Sequence, residues 1–490
     1  MRFLKHLGLF VAYGFAGAVL ALAVAYVAYL HGRPDLKPWH TVRLAAEFRA
    51  TDRGRVRTLA DYRAVEERVF AELRDAIYPR TAPEDRRLLN RYFTGSLSDP
   101  GRYRRDWNRT HELAAPDPRG AVLLLHGLSD SPYSMRPLAE RLHAAGYRTL
   151  ALRLPGHGTA PSGLVHAQWQ DWAAATRLGA RHLRERIGAE RPLYVVGYST
   201  GGALAVEYAL ARLAGEDLPR VDGLILVSAA IGVSRVAALA VWQARLAAVP
   251  GLDKLAWSSI GPEFDPFKYV SFAINAGVQI RALTTEIDAR IAALDKGGGV
   301  KGMPRVLAFQ SAADATIDAG ALVRVLLGRL APEGHELVAF DVNRHAEAAP
   351  LLAPGTGENL RRLLAAGPLP YALTVITNRD PHSADTVAQR RAAGATATES
   401  EPIGIAWPPD VLSLSHVALP FPPSDPLYGA ERPAVPEGIY LGRPELLGER
   451  GLLTVPESEL VRLRFNPFFA YLERRVLEFV GARRVTRHPR

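Results

Sequence analysis

Gly197-Tyr198-Ser199-Thr200-Gly201 is the stretch of this chain best suited to chemistry. An apolar run from Pro192 precedes it, and a small-residue helical pattern, Ala203 to Ala214, follows it. A sharp strand-to-helix turn needs glycines, because neighbouring side chains would clash. Such a turn lifts the serine hydroxyl above a sheet and aims backbone N–H groups at whatever the hydroxyl attacks. Ser199 is therefore a candidate nucleophile; the plainer alternative is a serine that only caps a helix. Serine also needs a base within hydrogen-bond reach and a third group to orient that base. The tetrahedral intermediate needs an oxyanion hole. The Thr200 N–H follows the nucleophile and is one candidate donor. The loop His126-Gly127-Leu128-Ser129-Asp130 should supply the second through the Leu128 N–H, with Gly127 letting the backbone approach substrate. His126 reads better as a structural histidine bonded within that loop than as the base. The acid should follow a late strand. Asp314 sits in the turn after Arg305–Gln310, whereas Asp318 reads as the start of a helix. Two histidines could be the base: His345, close behind the strand-like Glu336–Asp341, and His416, much later in Ser415-His416-Val417.

These residues need a scaffold. Ala121–His126, Arg148–Arg153, Pro192–Tyr198, Asp222–Ser228, Arg305–Gln310 and Glu336–Asp341 are short apolar runs with strand character. Helical patterns over Tyr133–Ala145, Trp169–Ile187, Gly201–Ala214 and Ile317–Leu330 separate most of them. Alternating strands and helices predict an α/β fold, a mainly parallel sheet covered on both faces. Ligands of such sheets bind at the carboxyl ends of the strands, where Ser199 would lie. Two stretches interrupt the alternation. Residues 230–302 exceed an ordinary loop and read as a helical cap whose Trp242, Trp257, Phe264 and Phe267 could line an acyl pocket or form the cap's own core. Residues 343–414 read as a second insertion, with a strand-like Tyr371–Thr377. The apolar stripe Phe469, Leu472, Val476, Phe479 marks a closing helix over Phe468–Val480.

The chain has 490 residues, 48% hydrophobic and 22% charged, which is the composition of a globular protein. It contains no cysteine, so disulfides, thiolate metal sites and cysteine nucleophiles are excluded. No metal-ligand spacing such as H-E-x-x-H occurs, and neither a metal nor a cofactor is expected. The formal charge of +10 comes mostly from arginines mixed with acids, the pattern of solvated faces rather than of a nucleic-acid-binding module. Residues 7–30 form an uncharged, nearly continuous apolar run flanked by Arg2, Lys5, Arg33 and Lys37. As a helix it would span roughly 36 Å, enough to cross a bilayer. It predicts a transmembrane anchor over residues 1–32, in a bacterial inner membrane with the bulk of the chain exported. A signal peptide cleaved near Ala23-Val24-Ala25 is the alternative. Residues 33–118, helical over Thr58–Arg74 with Tyr62, Val65, Val69 and Leu73 on one face, read as a spacer packed on the main domain, residues 119–490.

With these residues in view, the chain resembles an α/β-hydrolase of the carboxylesterase and monoacylglycerol-lipase-like branch. The resemblance is carried by His126-Gly-Leu128, Leu154-Pro-Gly-His157-Gly158, Trp169…Asp171-Trp172, Gly197-Tyr-Ser199-Thr-Gly201 and Asp314-Ala-Thr-Ile317. That branch holds its base in a short Ser/Gly-His-Val context, which implies His416 over His345. The resemblance implies a membrane-anchored serine hydrolase that cleaves carboxylic, perhaps lipid-derived, esters through Ser199, His416 and Asp314. An acyltransferase or thioesterase using the same triad, or a non-catalytic binding protein of the same fold, are the alternatives.

Overall fold

The structure is a computed structural model. It describes residues 32–232, 251–314, 316–317, 319–345, 352, 358–434, 437–443 and 461–481, together with scattered positions between 6 and 30. The apolar run 7–30 lies partly outside the described residues, and Trp242 and Asp318 lie outside them. Among the described residues no helix is long and apolar enough to cross a membrane.

The strands are β1 (His111–Leu113), β2 (Ala121–Leu125), β3 (Arg148–Leu152), β4 (Leu193–Tyr198), β5 (Gly223–Val227), β6 (Trp257–Ser259), β7 (Phe272–Ala273), β8 (Arg305–Ser311), β9 (Glu336–Phe340), β10 (Ala372–Asn378), β11 (Asp385–Arg391) and β12 (Glu399–Ala406). All but β6 and β7 join one ten-stranded sheet in the order 1-3-2-4-5-8-9-10-11-12. The block from β3 to β10 is parallel, while β1, β11 and β12 run antiparallel to their neighbours. The central strands are buried on both faces, and their alternate residues feed two cores. On one face Leu123 and Leu125 meet Trp172, Leu204 and Ile280, from the helices Trp169–Ile187, Thr200–Leu213 and Ile274–Leu294. On the other, Val122 and Leu124 join Leu138, Leu472 and Val476, from the helices Arg136–Ala144 and Phe469–Phe479.

Each core strand named from the sequence is present within a residue or two of its expected ends. Two expectations change. The single helix expected over Ile317–Leu330 is instead a short α turn (Ala319–Ala321), a π turn (Leu322–Leu326) and a 3-10 turn (Leu327–Arg329). Glycines at 320 and 328 and β-branched residues at 323 and 325 weaken a continuous helix there. The segment 343–414, expected as an insertion beside the core, contributes β10, β11 and β12 and so widens the sheet itself.

Residues 33–118 are more deeply engaged than a spacer. The helix Leu59–Ala76 opens with a capping box: Thr58 Oγ1 accepts the Asp61 N–H at 3.1 Å, and Asp61 accepts the Thr58 N–H at 2.9 Å. Its predicted apolar face, Tyr62, Val65, Val69 and Leu73, is buried in the main core. At the end of β3, Arg153 is fully buried and pairs with Glu47 at 2.8 Å and Glu66 at 2.9 Å, both from this region. The same region braces the 260s loop. Arg91 N–H donates to Glu263 O at 2.9 Å, Ser98 Oγ to Phe264 O at 2.5 Å, and Asn108 Nδ2 to Pro266 O at 3.0 Å.

Candidate active site

Ser199 sits between β4 and the helix Thr200–Leu213 with φ 52° and ψ −115°, a strained backbone that an L-residue rarely adopts. The surrounding structure holds it there. Ser199 N–H donates to Val227 O at 3.0 Å, and Ser199 O accepts the Ala230 N–H at 2.9 Å, so β5 and the chain after it clamp the turn. Gly201 is required by close approach: a Cβ there would lie 2.1 Å from Leu125 O. Its N–H donates to His126 O at 3.1 Å, joining this turn to the loop after β2. Gly127 differs from expectation. A Cβ at that position would lie 2.9 Å from the Tyr198 ring and 2.8 Å from Asp130, so its small size makes room for protein and not for substrate.

The N–H groups of Leu128 and Thr200 have no hydrogen-bond partner among the described residues, and both residues line the cavity that contains Ser199. Two unengaged donors beside a serine hydroxyl are what a developing oxyanion requires. His126 is structural, as expected. It is buried, its Nε2 accepts the Leu154 N–H at 3.0 Å, and its Nδ1 therefore donates to Gly127 O at 2.8 Å. Burial drives its pKa well below the usual imidazole range, with His157 beside it adding to the effect.

Asp314 and His416 meet although 102 positions separate them: His416 Nδ1 lies 2.8 Å from Asp314 Oδ2. Burial alone would raise the Asp314 pKa. The hydrogen bond and charge of His416, with the Ile317 and Thr316 N–H groups, instead hold it below its ordinary value. Asp314 is fixed further by Gln310 Nε2 at 3.0 Å. His416 is carried by a 3-10 turn, and its carbonyl accepts the Tyr198 hydroxyl at 3.4 Å. Ser311 Oγ donates to Leu414 O at 2.7 Å, tying the end of β8 to the chain that carries the histidine. Ser415 Oγ donates likewise to Leu463 O. Ser199, Asp314 and His416 all line one cavity of about 1290 Å³. His345 does not line it; it follows β9, with its N–H on Asn343 Oδ1 at 3.1 Å.

Of the aromatic residues expected to line the pocket, Phe264 does so. Trp257 and Phe267 do not. Trp257 is buried in the core with its ring edge-on to His40, and Phe267 stacks on Tyr133 with ring centroids 4.3 Å apart. Large aromatic rings were absorbed by packing, and smaller apolar groups such as Ile260, Val270 and Ile280 complete the wall. Gln310, Ser311 and Tyr198, which position Asp314 and His416, carry no signal in the sequence beyond their nearness to Asp314 and Ser199.

Residues 116–345 match the family model for serine aminopeptidase, S33. A thermostable monoacylglycerol lipase of Bacillus sp. (strain H-257) is 36% identical over 117 residues, covering 24% of this chain and 43% of that protein. A carboxylesterase of Bacillus subtilis (strain 168) is 34% identical over 87 residues, covering 18% of this chain and 35% of that protein. The chain thus spans less than half the length of these curated relatives. A solved structure of a metagenome-derived lipolytic enzyme shares 26% identity with a TM-score of 0.38, covering 53% of this chain and 96% of the other. The parallel sheet and strained serine turn, with the family-model match and the two sequence relatives, give the chain an α/β-hydrolase fold resembling the carboxylesterase and monoacylglycerol-lipase-like branch of that superfamily.

Proposed function

We propose that the chain is a serine hydrolase that cleaves carboxylic esters, lipid-derived esters among them, through an acyl-enzyme. The observation that carries this reading is the 2.8 Å His416–Asp314 contact in the same cavity as the strained Ser199. His416 Nε2 takes the Ser199 hydroxyl proton as Oγ attacks the ester carbonyl, and the Leu128 and Thr200 N–H groups receive the oxyanion. The C–O bond breaks as His416 returns the proton to the leaving alcohol. Water, deprotonated by His416, then attacks the acyl carbon and frees Ser199. Asp314 keeps the imidazole in the tautomer that leaves Nε2 as acceptor and stabilises the imidazolium. A fluorophosphonate probe should label the protein and Ser199→Ala should abolish the labelling; labelling that survives the substitution refutes the assignment.

Residues 7–30 anchor the chain to a membrane in this reading, with the hydrolase part exported. The exposure of Phe10, Tyr13, Phe15 and Leu20 supports it. Just beyond the run, Arg33 Nη1 donates to Trp257 O at 2.8 Å, one residue before the cavity-lining Ser258. Retention of the full-length chain in alkali-washed membranes tests the anchor; a soluble product shortened near Ala25 would favour a cleaved signal.

A further inference from the structure

The cavity wall carries four cationic side chains. Lys268, Arg324, Arg462 and Arg464 all line it, beside the carboxylates Asp130, Asp265 and Asp314. Each of those carboxylates already has a partner. Asp130 Oδ1 takes Lys268 Nζ at 2.9 Å, and Asp314 takes His416 at 2.8 Å. Asp265 Oδ2 takes the Tyr428 hydroxyl at 2.6 Å, while its Oδ1 accepts the Phe267 and Lys268 N–H groups at 3.0 and 3.1 Å. Arg464 faces the cavity near Asp265, whose carboxylate feels its charge, but no carboxylate touches it: among the described residues its guanidinium makes no hydrogen bond and no ion pair, and its Nε is buried without a partner. Arg462 donates to Thr316 Oγ1 at 3.2 Å, two residues from Asp314, so this cationic wall reaches the acid–base pair. A buried guanidinium nitrogen without a partner is costly. A planar fork of this kind binds a carboxylate or phosphate through paired hydrogen bonds.

We propose that the ester bound here carries a phosphate group on the part of the molecule that is not cleaved, and that Arg464 receives that phosphate. Its fork takes two phosphate oxygens through parallel hydrogen bonds, and the further cations of the cavity wall favour the higher charge of a phosphate over that of a carboxylate. The proposal rests on the hydrolase reading for which bond is cut, but binding can be measured apart from turnover. In the Ser199→Ala protein, titration calorimetry at low salt would compare an octyl ether of glycerol 3-phosphate with the uncharged octyl glycerol ether. The phosphate ether should bind about tenfold more tightly or better, as charge-assisted bonds to arginine require. Added salt should shrink that preference. Arg464→Gln should remove most of it, and Arg464→Lys, which keeps the charge but not the fork, should restore part. Equal affinity for the two ethers, or a preference unchanged in Arg464→Gln, overturns the proposal. So does inorganic phosphate binding as tightly as the phosphate ether, since the site would then be one for free anions. Hydrolysis of the matching esters by the unmodified protein reports on the hydrolase reading alone: a binding preference without turnover supports this proposal and refutes that one.

Discussion

The two halves of the candidate active site are built differently. The nucleophile half, Ser199 with the Leu128 and Thr200 N–H groups, is a backbone construction. It lies between β2 and the helix after β4, held by hydrogen bonds from Ser199 to Val227 and from Gly201 to His126. The acid–base half is a side-chain construction. Asp314 and His416 lie 102 positions apart and are brought together by Gln310, by the Ser311–Leu414 bond and by the Tyr198–His416 bond. A backbone turn is dictated by its neighbours in sequence, so a short motif can announce it. Side chains that meet across the fold depend on many remote contacts, and no short motif encodes those.

The contrast makes the acid–base half the place where large losses should come from single side chains. His416→Ala should lower kcat by several thousand-fold or more, whereas His345→Ala should leave ester turnover within about twofold. Loss of turnover in His345→Ala alone would reverse the assignment of the base. Asp314→Asn should cost about ten-thousand-fold in kcat, because the imidazole then favours the wrong tautomer. Next in size is a stability effect remote from the site. Arg153→Met leaves Glu47 and Glu66 buried without their cation and should destabilise the fold by about 3–5 kcal/mol, read from denaturant midpoints. An unchanged midpoint would mean that residues 33–118 do not hold the fold.

Acid should also weaken the fold. Burial depresses the pKa of His157 to about 4 and of His40 to about 3, in the latter case with help from Lys37. An unfolded chain protonates these rings near pH 6.5, so between there and pH 4 it binds more protons than the native state, and stability falls as pH drops. His157 alone should contribute roughly 3 kcal/mol over that window, and His157→Gln should flatten the pH dependence of the unfolding midpoint accordingly. The smallest expected effect is that of Ser311→Ala. It removes the buried bond to Leu414 O and the Ala313 N–H bond to Ser311 Oγ, about 1–2 kcal/mol together, and should lower kcat a few-fold with KM little changed if its role is to place His416.

Much of the molecule was legible in the sequence because its determinants are local. The apolar runs of β2, β4 and β5, the glycines of the serine turn, the capping box at Thr58 and Asp61, and Asp314 at the end of β8 depend on a few consecutive residues. Other features could not be read that way. Trp257 and Phe267 look like pocket aromatics in composition, yet only packing decides whether a ring faces a ligand or the core. Arg464 is one of many arginines in the sequence; its standing comes from the cavity it lines and from the partners its neighbouring carboxylates found elsewhere.

The sequence by itself determined the α/β order of the chain, the sharp turn at Ser199 and the glycine-containing loop beside it, because backbone geometry there follows from adjacent residue types. Tertiary structure alone decided which contacts bring His416 to Asp314, that residues 372–406 widen the sheet, and that Glu47 and Glu66 close on Arg153. Those pairings join positions up to 106 residues apart, and burial of charge and apolar surface, not local propensity, selects them.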